Sequence, residues 1–187
     1  MLRLNDVQVL GTHNSYHVAP RPALSSAWRY THESLTQQLD LGARAVELDV
    51  HHDPILRTWQ VYHEPWVDPH STCKCLMTCL RELARWSERN PGHSLLHIVV
   101  EPKYNIDAVN PFRNGATAAL RSLQDVFTAA LPPGSLLTPA AVQGNATSMR
   151  AAISGASGSM CGWPSARETR GGMMLILDVW CGAALLS

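Results

Sequence analysis

Apolar residues along this chain fall into short runs separated by longer amphipathic stretches, the rhythm of alternating strands and helices in an α/β fold. Residues 7–11 read as a first strand. After a polar loop, residues 34–41 predict a short helix, because Leu35, Leu39 and Leu41 recur at helical spacing and Gly42 stands just past the end, where a left-handed cap favours glycine. A second strand over residues 45–50 follows at once, and residues 59–62 read as a third. Residues 72–90 predict a long amphipathic helix with Leu76, Leu80, Leu83 and Trp86 on one face, stopped by Asn90-Pro91-Gly92. Residues 95–100 read as a fourth strand that Glu101-Pro102 ends. Residues 115–130 are helical in pattern, and residues 173–177 form a fifth strand ending in Asp178. Between them, residues 131–166 carry Pro132-Pro133-Gly134, Pro139, Gly144, Gly155, Gly158 and Pro164, so loop is expected there, with a short helix over residues 147–153.

A length of 187 residues, 45% of them hydrophobic, suits one core and one domain. Lys plus Arg and Asp plus Glu are both 15, with no run of like charge. Binding to nucleic acid or to a bulk anionic membrane needs clustered cations, so neither partner is expected. The runs LLHIVV and MMLIL fall far short of the roughly 20 apolar residues that span a bilayer. No basic segment followed by an apolar one opens the chain, so neither a transmembrane segment nor a signal peptide is read. Cys73, Cys75, Cys79, Cys161 and Cys181 are odd in number and fit no common zinc spacing. Two readings stand for them, small buried residues or a disulfide among the first three. Asn145-Ala-Thr147 meets the glycosylation pattern, which short triplets often do by chance.

The chemistry-bearing residues gather at the ends of four successive predicted strands. Gly11-Thr12-His13-Asn14-Ser15-Tyr16-His17 follows the first, Glu47-Leu48-Asp49 lies on the second, Tyr62-His63-Glu64-Pro65 follows the third, and Glu101-Pro102-Lys103 follows the fourth. In a parallel βα barrel all such ends meet on one rim, where catalytic groups collect. Glu47 and Asp49 leave one face of their strand, with Leu48 toward the helices. With Glu101 and the amide oxygen of Asn14 they offer four oxygens and three negative charges to one hard cation, which suits calcium at roughly 6–8 oxygens better than magnesium. His13 and His63 are the imidazoles best placed beside such a metal. One can hydrogen-bond a pentacoordinate phosphorus centre while the other protonates the leaving alkoxide. Lys103 can contact a substrate phosphate or pair with a ligand carboxylate. The other histidines, His17, His32, His51, His52, His70, His93 and His97, read as surface or satisfied core residues.

GTHNSYH, LGARAVELDV, VYHEP and VVEPK together resemble the catalytic half of the calcium-dependent phosphoinositide phospholipases C of bacteria and fungi. The ordered series His-Asn, Glu-x-Asp, His, Glu is the specific part. The resemblance runs from about Leu4 to Asp178. It implies a (βα)8 barrel with His13 and His63 as catalytic residues, calcium held by Asn14, Glu47, Asp49 and Glu101, and Lys103 near the substrate phosphate. It also implies a reaction in which the inositol 2-hydroxyl attacks phosphorus and releases diacylglycerol and a cyclic inositol phosphate, with transient contact to a membrane surface. Family members are usually exported, and they continue through further strands. Residues 1–187 are therefore expected to form a single catalytic barrel domain lacking its carboxyl-terminal part, with about five strands present. Two other readings stand beside it: a barrel phosphodiesterase of the glycerophosphodiester or sphingomyelinase D kind, which favours a His-Arg-Gly opening and magnesium, and an inactive fragment of the fold.

Overall fold

The computed structural model describes residues 8–53, 55–103, 116–137 and 175–179. Its elements in chain order are β1 (Gly11–Thr12), a 3-10 turn (Ser26–Trp28), α1 (Leu35–Asp40), β2 (Ala45–Asp53), β3 (Thr58–Val61), α2 (Leu76–Arg89), β4 (Leu96–Lys103), α3 (Ala116–Ala130) and β5 (Leu175–Val179). The strands form one mixed open sheet in the order β1-β2-β4-β5, all parallel, with β3 antiparallel to β2.

One sheet face is apolar and covered. Val46, Leu48 and Val50 of β2 and Leu96, Ile98 and Val100 of β4 are buried and belong to a core shared with Leu35 and Leu39 of α1, Leu76, Leu80 and Leu83 of α2, and Leu123 and Phe127 of α3. Each fully buried leucine contributes roughly 1.5–3 kcal/mol, so α2, with three of them on one stripe, anchors the layer. The residues alternating with these, Glu47, Asp49, Glu101 and Lys103 among them, leave the opposite face. That face is where the polar chemistry collects.

Helix α1 ends up one residue shorter at each end than its sequence pattern. Ser34 and Gln37 form a reciprocal capping box, Gly42 takes φ 103, and Leu41 lies outside the core at 77% exposure. Helix α2 begins at Leu76 instead of residue 72, because the chain before it turns at residues 72–73 and then lies against β3: His17 bridges Ser71, Val61 N–H donates to the Lys74 carbonyl at 2.9 Å, and Gln60 bridges Cys75. A disulfide joins Cys73 to Cys79 across that helix start and leaves Cys75 as the free thiol among the described residues. Pro102 does not end β4. Among the described residues the pairing with β5 runs to Val100 and β2 is the partner of β4 beyond it, a place where a residue without N–H is tolerated.

The third strand corrects the sequence reading. Only residues 54–57 separate β2 from β3, and a parallel connection needs a crossover of a dozen or more residues, so β3 turns straight back as a hairpin with Val50 opposite Val61. Asp53 Oδ1 closes the turn by accepting from the N–H groups of Ile55 and Leu56, both at 2.9 Å. Four strands, not five, therefore run parallel among the described residues. The short helix expected over residues 147–153, the triplet at Asn145, Cys161 and Cys181 lie outside the described residues, as does the predicted start of β1 at residue 7.

Strand β1 is tightly seated. A Cβ added at Gly11 would lie 2.9 Å from the Cβ of Ala45. Gly11→Val is expected to push β1 off β2 at a cost of about 1–3 kcal/mol, read as a lower urea midpoint. An unchanged midpoint would show that β1 is not held at this distance.

Candidate active site

The loop after β1 is laced onto β2 by its own short polar residues. Ser15 N–H donates to the Glu47 carbonyl (3.0 Å), and Glu47 N–H donates to Ser15 Oγ (2.8 Å). Asn14 N–H donates to Glu47 Oε2 (2.9 Å). Asn14 takes φ 47, a left-handed conformation that asparagine tolerates better than most residues. Gln38 of α1 locks the loop from behind, donating to the carbonyls of Ser15 (2.6 Å) and Glu33 (2.7 Å) and accepting from Thr12 Oγ1 (2.7 Å). Helix α1 and strand β2 thus fix where Asn14 and Glu47 sit.

Glu47, Asp49 and Glu101 come together, each offering a carboxylate oxygen within 4.8 Å of the others. The register explains it. Asp49 of β2 is paired with Glu101 of β4, and Glu47 lies two residues back on the same face. Asp49 is 1% exposed, and neither of its oxygens accepts a hydrogen bond. Burial therefore pushes its carboxyl up to about 6, against the pull of the nearby Lys103 ammonium and Tyr16, with Glu101 and Glu47 adding to the rise. The Tyr16 hydroxyl donates to Asn14 Oδ1 (3.0 Å), and burial together with Asp49 holds that phenol far above its ordinary value, so it keeps its proton.

Lys103 supplies the neighbouring positive charge. Its Nζ lies 2.6 Å from Glu101 Oε1 and 3.4 Å from Asp49 Oδ2. Burial pulls the ammonium down, but the two carboxylates outweigh it and hold the group above its ordinary value. Three converging carboxylates around a buried, unsolvated aspartate fit a divalent cation by their donor chemistry, since a single ammonium does not neutralise three acids.

The two histidines stand on different supports. His13 is open to solvent, with its side chain 78% exposed and Nε2 3.5 Å from Glu47 Oε2; its carbonyl accepts from His32 Nε2 at 2.9 Å. His63 follows β3, and the hairpin returns it toward Asp49, since Val61 pairs with Val50 beside that residue. Its Nδ1 donates to Asp68 Oδ2 at 2.9 Å, and its ring meets Trp28 edge-on at 5.9 Å. Asp68 is completely buried and also receives His17 Nε2 at 2.9 and 3.0 Å. A carboxylate behind one nitrogen fixes the tautomer and leaves the other nitrogen for chemistry.

Asp68 had no place in the sequence reading, and the signal for it was weak: an aspartate five residues beyond a histidine is common. His17 is a buried, hydrogen-bonded histidine as expected, yet its partner belongs to the site. His51 is the other buried one; Nε2 donates to the Tyr62 carbonyl at 3.0 Å and the ring stacks on Tyr62 at 3.8 Å.

No curated protein matches the chain at a significant level. Among solved structures, it is similar to a calcium-dependent phosphoinositol-specific phospholipase C from a Pseudomonas species, with 20% identity, a TM-score of 0.58, and 94% of this chain covering 57% of that one. It is also similar to the Ca2+-dependent phosphatidylinositol-specific phospholipase C of Streptomyces antibioticus, with 22% identity, a TM-score of 0.60, and 90% of this chain covering 51% of that one. At these identities the likeness establishes a shared fold, and the chain spans little more than half the length of either. The family model for Ca2+-dependent phosphoinositide phospholipase C matches residues 2–59 and 56–181, nearly the whole sequence. This chain belongs to the Ca2+-dependent phosphoinositide phospholipase C family.

Proposed function

We propose that the chain carries a calcium-dependent phosphodiesterase centre that cleaves phosphatidylinositol-type lipids by attack of the inositol 2-hydroxyl, giving diacylglycerol and a cyclic inositol phosphate. The observation that carries this reading is the triad Glu47, Asp49 and Glu101, with a buried aspartate whose oxygens lack hydrogen bonds. Asn14, hydrogen-bonded through its backbone to Glu47, would add a neutral oxygen. When bound, calcium would lower the pKa of the attacking hydroxyl, whose proton would pass to one of the site's carboxylates, and would offset charge on the phosphoryl oxygens.

The protein's own groups divide the remaining work. His13, open to solvent beside Glu47, donates to the phosphoryl oxygens as charge builds there. His63, backed by Asp68, protonates the departing glycerol oxygen and can later take a proton from water to open the cyclic product. Lys103, paired with Glu101 and Asp49, stands beside the carboxylates and would turn toward the substrate phosphate. The four parallel strands supply part of a (βα)8 barrel wall, with the site at their carboxyl ends. The Cys73–Cys79 disulfide supports export to an oxidising compartment.

The test is hydrolysis of phosphatidylinositol vesicles by this chain with calcium, with chelator, and as His13→Ala. Turnover that chelation or His13→Ala leaves undiminished defeats the reading. Lys103→Met separates the two roles of the lysine: calorimetry is expected to give calcium binding as tight as wild type or tighter, while kcat/KM falls about 10–100-fold. Loss of calcium binding in that variant would instead make Lys103 a scaffold for the carboxylates.

A further inference from the structure

We infer that His17 is a positioning residue: through Asp68 it fixes which ring nitrogen of His63 faces the reacting phosphodiester. The inference rests on the reading of His63 as the proton donor.

Both nitrogens of His17 face groups that only accept. Nδ1 lies 2.9 Å from the Tyr30 carbonyl oxygen, and Nε2 lies 3.0 and 2.9 Å from the two oxygens of Asp68. The Nε2–H is therefore directed at Asp68. The ring is fully buried and stacks on Tyr30 with centroids 4.2 Å apart, which holds it in place. Asp68 is equally buried, and a lone carboxylate there would be costly. His17 pairs with it and spans both of its oxygens, so the carboxylate cannot rotate without breaking that contact. Oδ2 is then held 2.9 Å from His63 Nδ1.

The loop itself is closed by main-chain bonds, Asp68 N–H to the Glu64 carbonyl at 3.0 Å and Glu64 N–H to the Asp68 carbonyl at 3.2 Å. His63 and Asp68 thus move together. With Nδ1–H committed to Asp68, Nε2 is the nitrogen of His63 left for the substrate. His17 also joins the loop holding Asn14 to the rest of the site. Its N–H donates to the Asn14 carbonyl at 2.8 Å, and its carbonyl accepts from His32 N–H at 2.9 Å. One buried ring connects the loop that carries the metal-side residues with the loop that orients the proton donor.

Long-range 15N spectra of the histidine rings in the full chain read this out without turnover. In the wild type, His63 is expected as a single tautomer with hydrogen on Nδ1. In His17→Phe, which keeps an aromatic ring and removes the donor to Asp68, His63 is expected to populate both tautomers. On phosphatidylinositol vesicles kcat should fall about 10–100-fold with KM and calcium affinity nearly unchanged. His17→Gln, whose amide can donate to Asp68, should recover most of the loss. A wild-type His63 that already populates both tautomers, or a His17→Phe variant in which its tautomer and kcat persist, overturns the assignment. Should His17→Phe fail to fold, the wild-type spectrum and His17→Gln still decide it. Absence of turnover in a folded wild-type chain would overturn the proposed reaction, and the spectra would still support or reject the role of His17.

Discussion

Asp49→Asn is expected to weaken calcium binding about 100-fold, or roughly 2.7 kcal/mol, and at the same time to stabilise the metal-free protein. The two effects share one cause. Asp49 is buried and receives no hydrogen bond, so folding raises its carboxyl from an ordinary 3.8 to about 6. A carboxyl raised in the native state binds its proton more tightly there than in the unfolded chain, so stability falls as pH climbs from about 4 to about 6, and the loss is complete above that. The shift corresponds to about 3 kcal/mol at neutral pH. Asparagine carries no charge to desolvate. Urea melts in chelator should therefore find variant and wild type equally stable near pH 3.5, with the variant pulling ahead through pH 6 and a constant gap beyond. Saturating calcium should close most of that gap at pH 7, because the wild type gains up to about 2.7 kcal/mol more from binding than the variant does. A variant that is less stable than wild type at pH 7 in chelator would mean that Asp49 is satisfied by its neighbours and is not held in readiness for a cation.

The parts of this fold that follow from one-dimensional pattern were legible. A hydrophobic stripe at helical spacing placed α2 and its buried Leu76, Leu80 and Leu83, and strict alternation on β2 sent Leu48 to the core and Glu47 and Asp49 to the other face. Element ends were less legible, because neighbours decide them. Residues 72–75 carry a helical pattern but turn and then bridge to β3, and Pro102 stays in β4, where β2 is its partner among the described residues. The orientation of β3 could have been read from the chain: eight residues separate the predicted second and third strands, with no helical pattern among them. That length permits a hairpin and excludes a crossover.

The acidic cluster was legible for the same reason as β2. Two acids at i and i+2 on a strand and a third on the next parallel strand converge once the register puts Asp49 level with Glu101. The support around the histidines was not. His17, Asp68 and Tyr30 meet by way of long-range hydrogen bonds between three loops, and loop geometry leaves no periodic trace in a sequence. Gln38 shows the same gap. On sequence it is one of two glutamines in a short helix, and in the structure it is buried and bonded to Thr12, Ser15 and Glu33.

The supports of the two histidines proposed as catalytic lead to different expected losses. His63→Ala removes a proton donor that Asp68 holds in one tautomer, and kcat on phosphatidylinositol should fall by about 10²–10⁴, with calcium binding retained. His13→Ala removes a donor to the phosphoryl group beside Glu47, with a loss of about 10²–10³. The leaving group separates them. A glycerol alkoxide must be protonated as it departs, whereas a nitrophenolate leaves as a stable anion. On a nitrophenyl ester of inositol phosphate the His63→Ala defect should shrink to about tenfold, because the step His63 serves is no longer demanding. The His13→Ala defect should persist, since charge still accumulates on the phosphoryl oxygens whatever group departs. If both variants recover equally on the activated substrate, the assignment of separate roles fails. If only His13→Ala recovers, the roles are reversed, and the Asp68 carboxylate would then be orienting a group that stabilises the phosphoryl oxygens.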